Sequence, residues 1–319
     1  GTHARILGAE RAGRGRDAHL HHAGLCLPGG GPAVDQLPPA QEHVDDAGQR
    51  LCRLRARHGA VPACDCTGLP VLQLWGCDVY IMKTKLLYTL LDSTMNEYQR
   101  LTQFCTGTHQ WIIRAREQKE GRGREDRFWY SPEGGLWMTF DIYYDDFIPT
   151  FPLFIAYCLH SLLLELFPLE SLSIKWPNDI MWKNKKLGGI LCEHNESEKK
   201  YIIGLGLNTN ISQDAIDGKL DIVTLSSLIV FPVSNEYLSD LIIANIYKKI
   251  DLLSNPKFYL NYINLWLYGL NQLAQVQLDN KIVTGINIGV AEDGTLLLKD
   301  REGYIHGINY GSLNYIPDL

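Results

Sequence analysis

GRGREDRFWYSPEGGLWMTF, residues Gly121–Phe140, is the most informative segment of the chain. Its first four residues alternate glycine, which lets a backbone approach a ligand closely, with arginine, whose planar guanidinium suits carboxylates and phosphates. A turn signal follows at Ser131–Gly135, and Leu136–Phe140 is an apolar run of strand length. GRGR alone is also typical of a solvated basic loop. Such a loop leading into a strand, however, predicts a site for an anionic ligand.

Upstream of this Arg/Gly loop, the sequence predicts a strand, a helix and a second strand. The apolar run Lys83–Leu91 has the length of a strand. Asp92–Thr94 comes next, and Glu97 follows at the spacing of a capping box, which predicts a helix over residues 95–104. Trp111–Ala115 then predicts the strand that leads towards the loop.

Downstream of the loop, strand patterns precede and follow a long apolar segment. Leu136–Tyr144 alternates along its length and is predicted to be a strand with one buried face. Phe151–Phe167 is apolar over several turns and is bounded by prolines, which predicts a buried helix. Further strands are predicted at Leu172–Trp176, Ile180–Trp182, Lys186–Glu193 and Lys200–Asn208, and further helices at Asn235–Leu253 and Pro256–Leu267.

The last part of the chain follows a different pattern. From Gln272 onward, short apolar runs alternate with turn signals, which is typical of a small β-barrel. We therefore predict an α+β fold: a mixed β-sheet flanked by helices, a boundary near residue 270, and a small β-barrel at the carboxy terminus. The strands predicted for this barrel are Ala274–Leu278, Lys281–Gly289, Leu296–Lys299 and Tyr304–Asn309.

The composition changes sharply at Met82, which is the first methionine. Residues 1–81 contain no lysine or asparagine, but they hold eight arginines, six of the ten histidines and five of the eight cysteines. They also show no sustained helical or strand period. We interpret residues 1–81 as a non-native or disordered extension, 82–270 as one domain and 271–319 as a second.

The overall composition limits the classes of protein to which the chain can belong. A net charge of −6 and a pI near 5.9 argue against a general nucleic-acid binder. No apolar run approaches the roughly 20 residues needed to span a membrane. Eight cysteines in 319 residues do not predict a disulfide scaffold, so we expect a cytoplasmic protein.

Polar segments at or beside predicted strand ends accompany the Arg/Gly loop. Lys175 precedes the turn Pro177–Asp179, and Asn208 ends a strand. Each of these alone is typical of turn or surface chemistry, but one lysine and two arginines that converge would make a strong anion site. A P-loop nucleotidase is excluded, because the sequence contains no GxxxxGK[ST] motif.

Four motifs, in order, are similar to those of the biotin protein ligases, also called biotin–[acetyl-CoA-carboxylase] ligases. Ser93–Met95 resembles the family's Ser-Thr-Asn/Met element, and Gln118–Trp129 resembles its Arg/Gly loop, Gln-x-x-Gly-Arg-Gly-Arg-x-x-Arg-x-Trp. The segment from Lys175 to Leu191 resembles KWPNDI…KKxxGIL, and Gly204–Asn210 resembles Gly-x-Gly-x-Asn-x-Asn. GRGR and KWPND in this order are specific, and the resemblance covers the chain after its first 81 residues.

The resemblance implies a fold and a reaction. Residues 82–270 would form a biotin/lipoate ligase-like catalytic domain, and 271–319 an SH3-like domain. The implied enzyme uses ATP and Mg²⁺ to convert biotin to biotinyl-5′-AMP, and then transfers biotin to a lysine of a biotin carboxyl carrier protein or of a carrier domain in a biotin-dependent carboxylase. The resemblance assigns no metal ligands. It is compatible with a homodimer, and it implies binding to neither a membrane nor nucleic acid.

The resemblance also assigns site residues. It implies that Lys175, Arg122 and Arg124 are catalytic. The biotin-binding residues that it implies are Ser93, Thr94, Met95, Gln118, Arg122, Gly123, Arg124, Lys175, Gly188 and Gly189. The ATP-binding residues that it implies are Arg122, Arg124, Trp129, Asn178 and Asn208, with Trp129 and Trp137 as candidates for the wall of the site.

The chain departs from the family pattern in two places. Asp126 stands where many members have glycine, and with Glu125 it adds acid to the Arg/Gly loop. Members that repress transcription carry an amino-terminal helix-turn-helix, a pattern that residues 1–81 do not show. Two alternatives stay open: a lipoate–protein ligase, which also adenylates an acid, and a biotin-responsive transcriptional repressor.

Overall fold

The computed structural model describes residues 43–44, 50–51, 71–74, 77–80, 82–103, 109–216, 221–278 and 281–316. Most of the predicted extension 1–81 lies outside these residues, so its interpretation stays a prediction. The described part of that segment forms two separate two-stranded sheets. Their strands are β1 (His43–Val44) with β2 (Arg50–Leu51), and β3 (Val71–Leu74) with β4 (Cys77–Tyr80).

A seven-stranded mixed sheet forms the centre of the fold, as predicted. Its strands are β5 (Met82–Leu91), β6 (His109–Gln118), β7 (Leu136–Tyr143), β8 (Leu172–Lys175), β9 (Asp179–Trp182), β10 (Lys185–Asn195) and β11 (Lys200–Leu207). They lie in the order β5-β6-β7-β11-β10-β9-β8, in which the β5–β6 pair alone is parallel. Parallel neighbours need a crossover connection, and helix α1 (Thr94–Thr102) lies within it.

Strand β7 is buried on both faces, which corrects the prediction of a strand with one buried face. Phe140 packs into the main hydrophobic core on one side. On the other side the polar residues are buried as well, because each has a partner. The hydroxyl of Thr139 donates to Thr94 Oγ1 of α1 at 2.8 Å, and Asp141 Oδ1 accepts from the backbone N–H of Trp111 at 3.0 Å.

The remaining helices are α2 (Phe151–Leu166), α3 (Gln213–Ile216), α4 (Leu225–Ile229), α5 (Asn235–Lys249) and α6 (Pro256–Leu265). Helix α2 is buried as predicted and packs against α5, α6 and strands β8, β9 and β10. Helix α5 is shorter than predicted, because the chain tightens into a 3-10 turn at Ile250–Ser254. The sequence did not predict α3 and α4, since one helical turn is too short to show a period. No helix in the described ranges has both the length and the apolar character needed to cross a bilayer.

The carboxy-terminal part is a five-stranded antiparallel sheet, made of β12 (Leu273–Gln277), β13 (Ile282–Val290), β14 (Leu296–Lys299), β15 (Ile305–Ile308) and β16 (Ser312–Tyr315). Its order is β15-β14-β13-β12-β16. The sheet is barrel-like but open, since its described edges, β15 and β16, are not paired with each other. Strand β16 was not predicted. The sheet is attached to α6, where the Asn264 side chain exchanges hydrogen bonds of 2.8 and 2.9 Å with the backbone of Val290.

We expect a chain that begins at Met82 to fold as the full chain does. Strand β5 starts at Met82, and the seven-stranded sheet is complete without strands β1 to β4. Circular dichroism should therefore show one cooperative thermal transition, with a midpoint within a few degrees of that of the full chain. If the shorter chain were insoluble while the full chain folded, a domain boundary at Met82 would be wrong.

Candidate active site

A cavity of about 210 Å³ lies between the Arg/Gly loop, the N-terminus of α1, strands β10 and β11, and β16 of the second sheet. We call it the main cavity. It brings together most of the site residues that the sequence predicted, although they come from five separate segments of the chain. The predicted residues that line it are Ser93, Thr94, Met95, Gln118, Arg122, Gly123, Arg124, Trp129, Lys175, Asn178 and Gly189.

The N-terminus of α1 presents Ser93 and Thr94 to the main cavity. Ser93 is the N-cap residue, and its hydroxyl accepts from the backbone N–H of Met95 at 3.3 Å. The predicted capping box at Thr94 is therefore wrong by one residue, because Thr94 already lies inside the helix. The Glu97 carboxylate instead accepts a hydrogen bond of 2.9 Å from the hydroxyl of Tyr88.

Gln118 ties this helix end to the strand beside it. Its carboxamide oxygen accepts from the backbone N–H of Thr94 at 2.8 Å and from the Thr94 hydroxyl at 3.1 Å. Its Nε2 donates to the hydroxyl of Ser131 at 2.7 Å. All three residues are buried. A buried, mutually satisfied chain of this kind is held in one arrangement, and it can present both donors and acceptors to a polar ligand.

The two arginines of the loop have different partners. Arg122 Nη2 pairs with Glu193 Oε1 at 3.1 Å. Arg124 Nη1 donates to Asn178 Oδ1 at 3.3 Å, and the Asn178 side chain in turn donates to the carbonyl of Ile190 at 2.6 Å. Burial lowers the pKa of Arg124 from its ordinary value, but a guanidinium stays charged at neutral pH. Arg124 thus joins the loop to the turn that follows β8.

Lys175 is the last residue of β8 and lines the main cavity. Burial is the main cause that lowers the pKa of Lys175, and the positive charges of Lys186 and Arg127 lower it further against the opposing effect of Asp179. Within the described part of the chain, the ammonium has no hydrogen-bond or ion-pair partner. A partly desolvated cation of this kind favours an anion beside it.

Two glycines form a flat platform under the indole of Trp129. Gly189 of β10 and Gly206 of β11 are directly paired across the two strands. A Cβ at Gly206 would lie 2.5 Å from Trp129 Nε1, and one at Gly189 would lie 2.9 Å from Trp129 Cζ3. The ammonium of Lys186 lies 4.7 Å from the ring centroid and also pairs with Asp179 at 2.7 Å. The position of this indole therefore depends on glycine at both platform positions and on a cation–π contact.

Comparison with known proteins agrees with this geometry. The model of the biotin/lipoate A/B protein ligase family matches residues 86–210. A bifunctional ligase/repressor BirA from Bacillus spizizenii is 31% identical over 211 residues, which are 60% of this chain and 62% of that protein. A biotin–[acetyl-CoA-carboxylase] ligase from Paracoccus denitrificans is 32% identical over 136 residues, which are 39% of this chain and 54% of that ligase.

The structural comparison extends further along the chain. The structure of a biotin protein ligase from Aquifex aeolicus in complex with biotin and ATP has a TM-score of 0.62 and 25% identity, and it covers 73% of this chain and 99% of that one. The curated relatives named above are matched over less than two thirds of their own length. The resemblance that the sequence motifs indicated is thus confirmed at the level of family and fold.

Within the seven-stranded sheet, a β-bulge decides which glycine faces the main cavity. The pairing of β10 with β9 shifts between Lys186 and Gly188, so Leu187 is an extra residue. Lys186 and Gly189 therefore share the cavity side although they are three residues apart. Gly188 does not line the cavity but faces the core, where a Cβ would lie 2.9 Å from Leu207 Cδ1.

Two other predicted residues support the main cavity without lining it. Asn208 is buried, and its side chain donates to the carbonyl of Lys186 at 3.0 Å, which ties the end of β11 to β10. Trp137 is also buried, and its indole donates to the carbonyl of Pro132 at 2.9 Å. Its ring meets Trp129 edge-on, with 6.4 Å between the centroids. Both residues hold the walls of the cavity in place.

The sequence analysis missed some residues of the candidate site. Lys186 and Gly206 stand in motifs that were recognised, but no role was assigned to them. The Gly204-x-Gly206 spacing places both glycines on one face of a strand, and this signal was available. Ser312 of β16 carries no such signal, because its hydrogen bond from the guanidinium of Arg127 depends on how the two sheets dock.

The backbone has an unusual conformation at Asp126, where the sequence departs from the family pattern. Glu125 and Asp126 both have φ near +55°, in the left-handed region. For residues with a Cβ this conformation costs about 1–2 kcal/mol each. A glycine at either position would adopt it without that cost. Here Glu125 is held by the guanidinium of Arg127, so the strained turn has a compensating ion pair.

Proposed function

We propose that this chain is a biotin protein ligase, which activates biotin with ATP and transfers it to a lysine of a biotin carboxyl carrier protein or domain. The observation that carries the proposal is that Arg122, Arg124 and Lys175, from two distant segments, line the same cavity as the polar pair Thr94–Gln118. Further support comes from the similar Aquifex aeolicus enzyme, whose structure contains biotin and ATP.

The end of the main cavity at α1 suits the uncharged ring system of biotin. A cyclic urea offers two N–H donors and one carbonyl acceptor. The hydroxyls of Ser93 and Thr94 and the carboxamide of Gln118 can both donate and accept, so they complement it. Met95 and the indole of Trp129 supply apolar surface for the sulfur-containing ring.

The cationic end of the cavity suits the first half-reaction. An oxygen of the biotin carboxylate attacks the α-phosphorus of ATP, the bond to the bridging oxygen breaks, and pyrophosphate leaves. Two anions must meet in this step, so positive charge has to be fixed between them beforehand. Lys175 has no partner among the described residues, and Arg122 and Arg124 line the same space. These three side chains are the proposed catalytic residues.

The second half-reaction needs access for a lysine and exclusion of water. The neutral amine of the carrier lysine attacks the carbonyl carbon of the mixed anhydride, AMP leaves with the bonding electron pair, and the nitrogen gives up a proton. Water would destroy the same anhydride. The Arg/Gly loop is held by Arg124 on Asn178 and by Arg127 on Ser312, so it is placed to cover the adenylate.

Mg²⁺ fits this reaction as part of the ATP complex. Asp179 is the single carboxylate among the described residues that line the main cavity, and it already pairs with Lys186. The described ranges also contain no cluster of three or more histidine, cysteine or acidic side chains that could hold a metal. Since Mg²⁺ in proteins commonly uses one or two carboxylates plus substrate phosphates, we propose that it arrives with the phosphates of ATP.

The proposed ligase has two domains, a carrier protein as its partner, and the cytoplasm as its place of action. Residues 82–270 are the catalytic domain and 271–319 an SH3-like domain that contributes Ser312 to the cavity rim. The macromolecular partner is the carrier protein. The place of action is the cytoplasm, where thiols such as Cys158 and Cys192 stay reduced.

The test is incubation of the full chain with ATP, Mg²⁺, biotin and a carrier domain, followed by streptavidin blotting. Label on the carrier, and none on a carrier whose target lysine is replaced by arginine, is the expected result. A parallel reaction with lipoate distinguishes the alternative ligase, and modification by lipoate alone would refute the biotin assignment. A gel shift on the DNA upstream of its own gene tests the repressor alternative, which the similarity to the bifunctional ligase/repressors of Bacillus also suggests.

Adjacent glycines offer a matched test of the biotin site. Gly189→Ala should weaken biotin binding at least tenfold, because its Cβ would displace Trp129. Gly188→Ala should retain binding but lower stability, because its Cβ would press on Leu207 in the core. Overpacking of this kind costs about 1–3 kcal/mol. Calorimetric titration with biotin and thermal unfolding separate the two effects. Equal loss of affinity in both variants would contradict the assignment of the cavity face.

A further inference from the structure

A second cavity, of about 260 Å³, lies between β6, the start of β7 and the N-terminus of α5. None of the residues that line the main cavity lines this one. About 10–15 Å³ is enough to hold a water molecule, so there is room for a small organic molecule. Its lining includes Leu87, Arg114, Arg116, Glu133, Leu136 and Glu236.

Arg114 lines this second cavity, and its guanidinium has no hydrogen-bond partner among the described residues. Its side chain is only 10% exposed, yet the closest carboxylate oxygen of a described residue, Glu236 Oε1, is 3.9 Å away. That distance is too long for a hydrogen bond, and the Glu236 side chain is 74% exposed. A guanidinium has five N–H donors, so Arg114 can still donate to a ligand in the cavity. The cavity is where an acceptor can reach them.

The walls around Arg114 are fixed by hydrogen bonds. The Asn235 side chain donates to the carbonyls of Gly134 and Gly135 at 3.2 and 3.0 Å. Asn210 exchanges hydrogen bonds of 2.8 and 2.9 Å with the backbone of Val233. These bonds join the turn before β7 to the start of α5. The cavity is therefore preorganised, which lowers the entropy cost of filling it.

The charges and the apolar walls select the chemistry of the ligand. Arg116 adds a second guanidinium, while Glu133 and Glu236 stand exposed at the same cavity. Since Arg116, Glu133 and Glu236 are exposed and screened by water, the mostly buried Arg114 is the one charge that can select a ligand, and its planar fork suits a single carboxylate. Leu87 and Leu136 provide apolar surface for the rest of the molecule.

We propose that this second cavity binds a small aliphatic monocarboxylic acid, with its carboxylate on Arg114 and its chain against Leu87 and Leu136. The site is separate from the proposed ligase chemistry. Its occupation can be measured without any assay of biotin transfer, so the failure of one proposal would not be mistaken for failure of the other.

The test is isothermal titration calorimetry of the full chain with hexanoate, hexanamide and inorganic phosphate as probes. Hexanoate should bind one-to-one, and hexanamide and phosphate at least tenfold more weakly. Arg114→Met should raise the Kd for hexanoate at least tenfold. Arg301→Met, a control at an exposed arginine of the second sheet, should leave the Kd unchanged.

Two more variants test the second cavity even if Arg114→Met fails to fold. Leu87→Trp fills the mouth of the cavity from a position that is already exposed, so it should block hexanoate even if Arg114→Met fails to fold. Lys175→Met alters the main cavity and should leave hexanoate binding intact. The proposal is overturned if the full chain does not bind hexanoate. It is also overturned if Lys175→Met abolishes binding while Leu87→Trp leaves it unchanged, because the carboxylate would then occupy the main cavity.

Discussion

Replacing Lys175 with methionine is expected to slow adenylate formation by roughly 30- to 4000-fold, the range that follows from losing about 2–5 kcal/mol when a buried charge partner is removed. The ammonium of Lys175 is partly desolvated and has no partner among the described residues, so its charge is available to the two reacting anions. Methionine keeps much of the apolar volume, and the thermal midpoint should change little. Pyrophosphate release in the absence of a carrier domain measures this step directly.

The matched control for this prediction is Lys185→Met. Lys185 lies on an exposed position of β10 and does not line the main cavity. Its replacement should leave pyrophosphate release unchanged. If Lys175→Met released pyrophosphate at nearly the rate of the unmodified chain, Lys175 would be a solvated residue at the end of a strand, and the arginines would carry the charge alone.

Arg124→Gly should separate the two half-reactions. Arg124 joins the Arg/Gly loop to Asn178, and Arg122 and Lys175 remain to supply charge for adenylation. Loss of a charge-assisted hydrogen bond costs about 1.5–3 kcal/mol, so release of biotinyl-5′-AMP should accelerate by roughly 10- to 150-fold while its synthesis falls less. Escaped adenylate acylates lysines without selection, and biotin blotting of carrier domain mixed with albumin would detect it.

Arg124→Lys is the control for the Arg124 experiment. Lysine keeps the positive charge but not the planar fork, so it should restore part of the retention. A variant Arg124→Gly that labels the carrier alone and holds the adenylate as long as the unmodified chain does would show that Arg124 does not retain the intermediate. The closure of the loop would then depend on Arg127 and its contact with Ser312.

Local patterns in the sequence were sufficient for most of the framework. Strand β14, Leu296–Lys299, has the bounds that the sequence predicted, and α2 starts where the prolines predict. The four motifs also identified the segments that line the main cavity, because their order along the chain is specific to the family. Such features depend on residues that are neighbours in the sequence, so the sequence alone is enough to predict them.

Other features depended on contacts between distant segments. The sequence could not distinguish Gly188 from Gly189, since a single bulge at Leu187 reverses the faces of every residue after it. The sequence pattern of β7 predicted one buried face. Its second face is buried too, because Thr139 hydrogen-bonds to a helix that is distant in the sequence.

The residue types, their order and their charges were thus determined by the sequence itself: two arginines and a lysine in motifs that predict an anion site. Tertiary structure alone decided that Asn208 would support a wall, that Ser312 would accept a hydrogen bond from Arg127, and that the Arg114 side chain would be mostly buried with no hydrogen bond to a described residue. The physical reason is that burial and hydrogen bonding depend on which surfaces dock. Docking is set by the packing of whole sheets and helices, and no short stretch of residues contains that information.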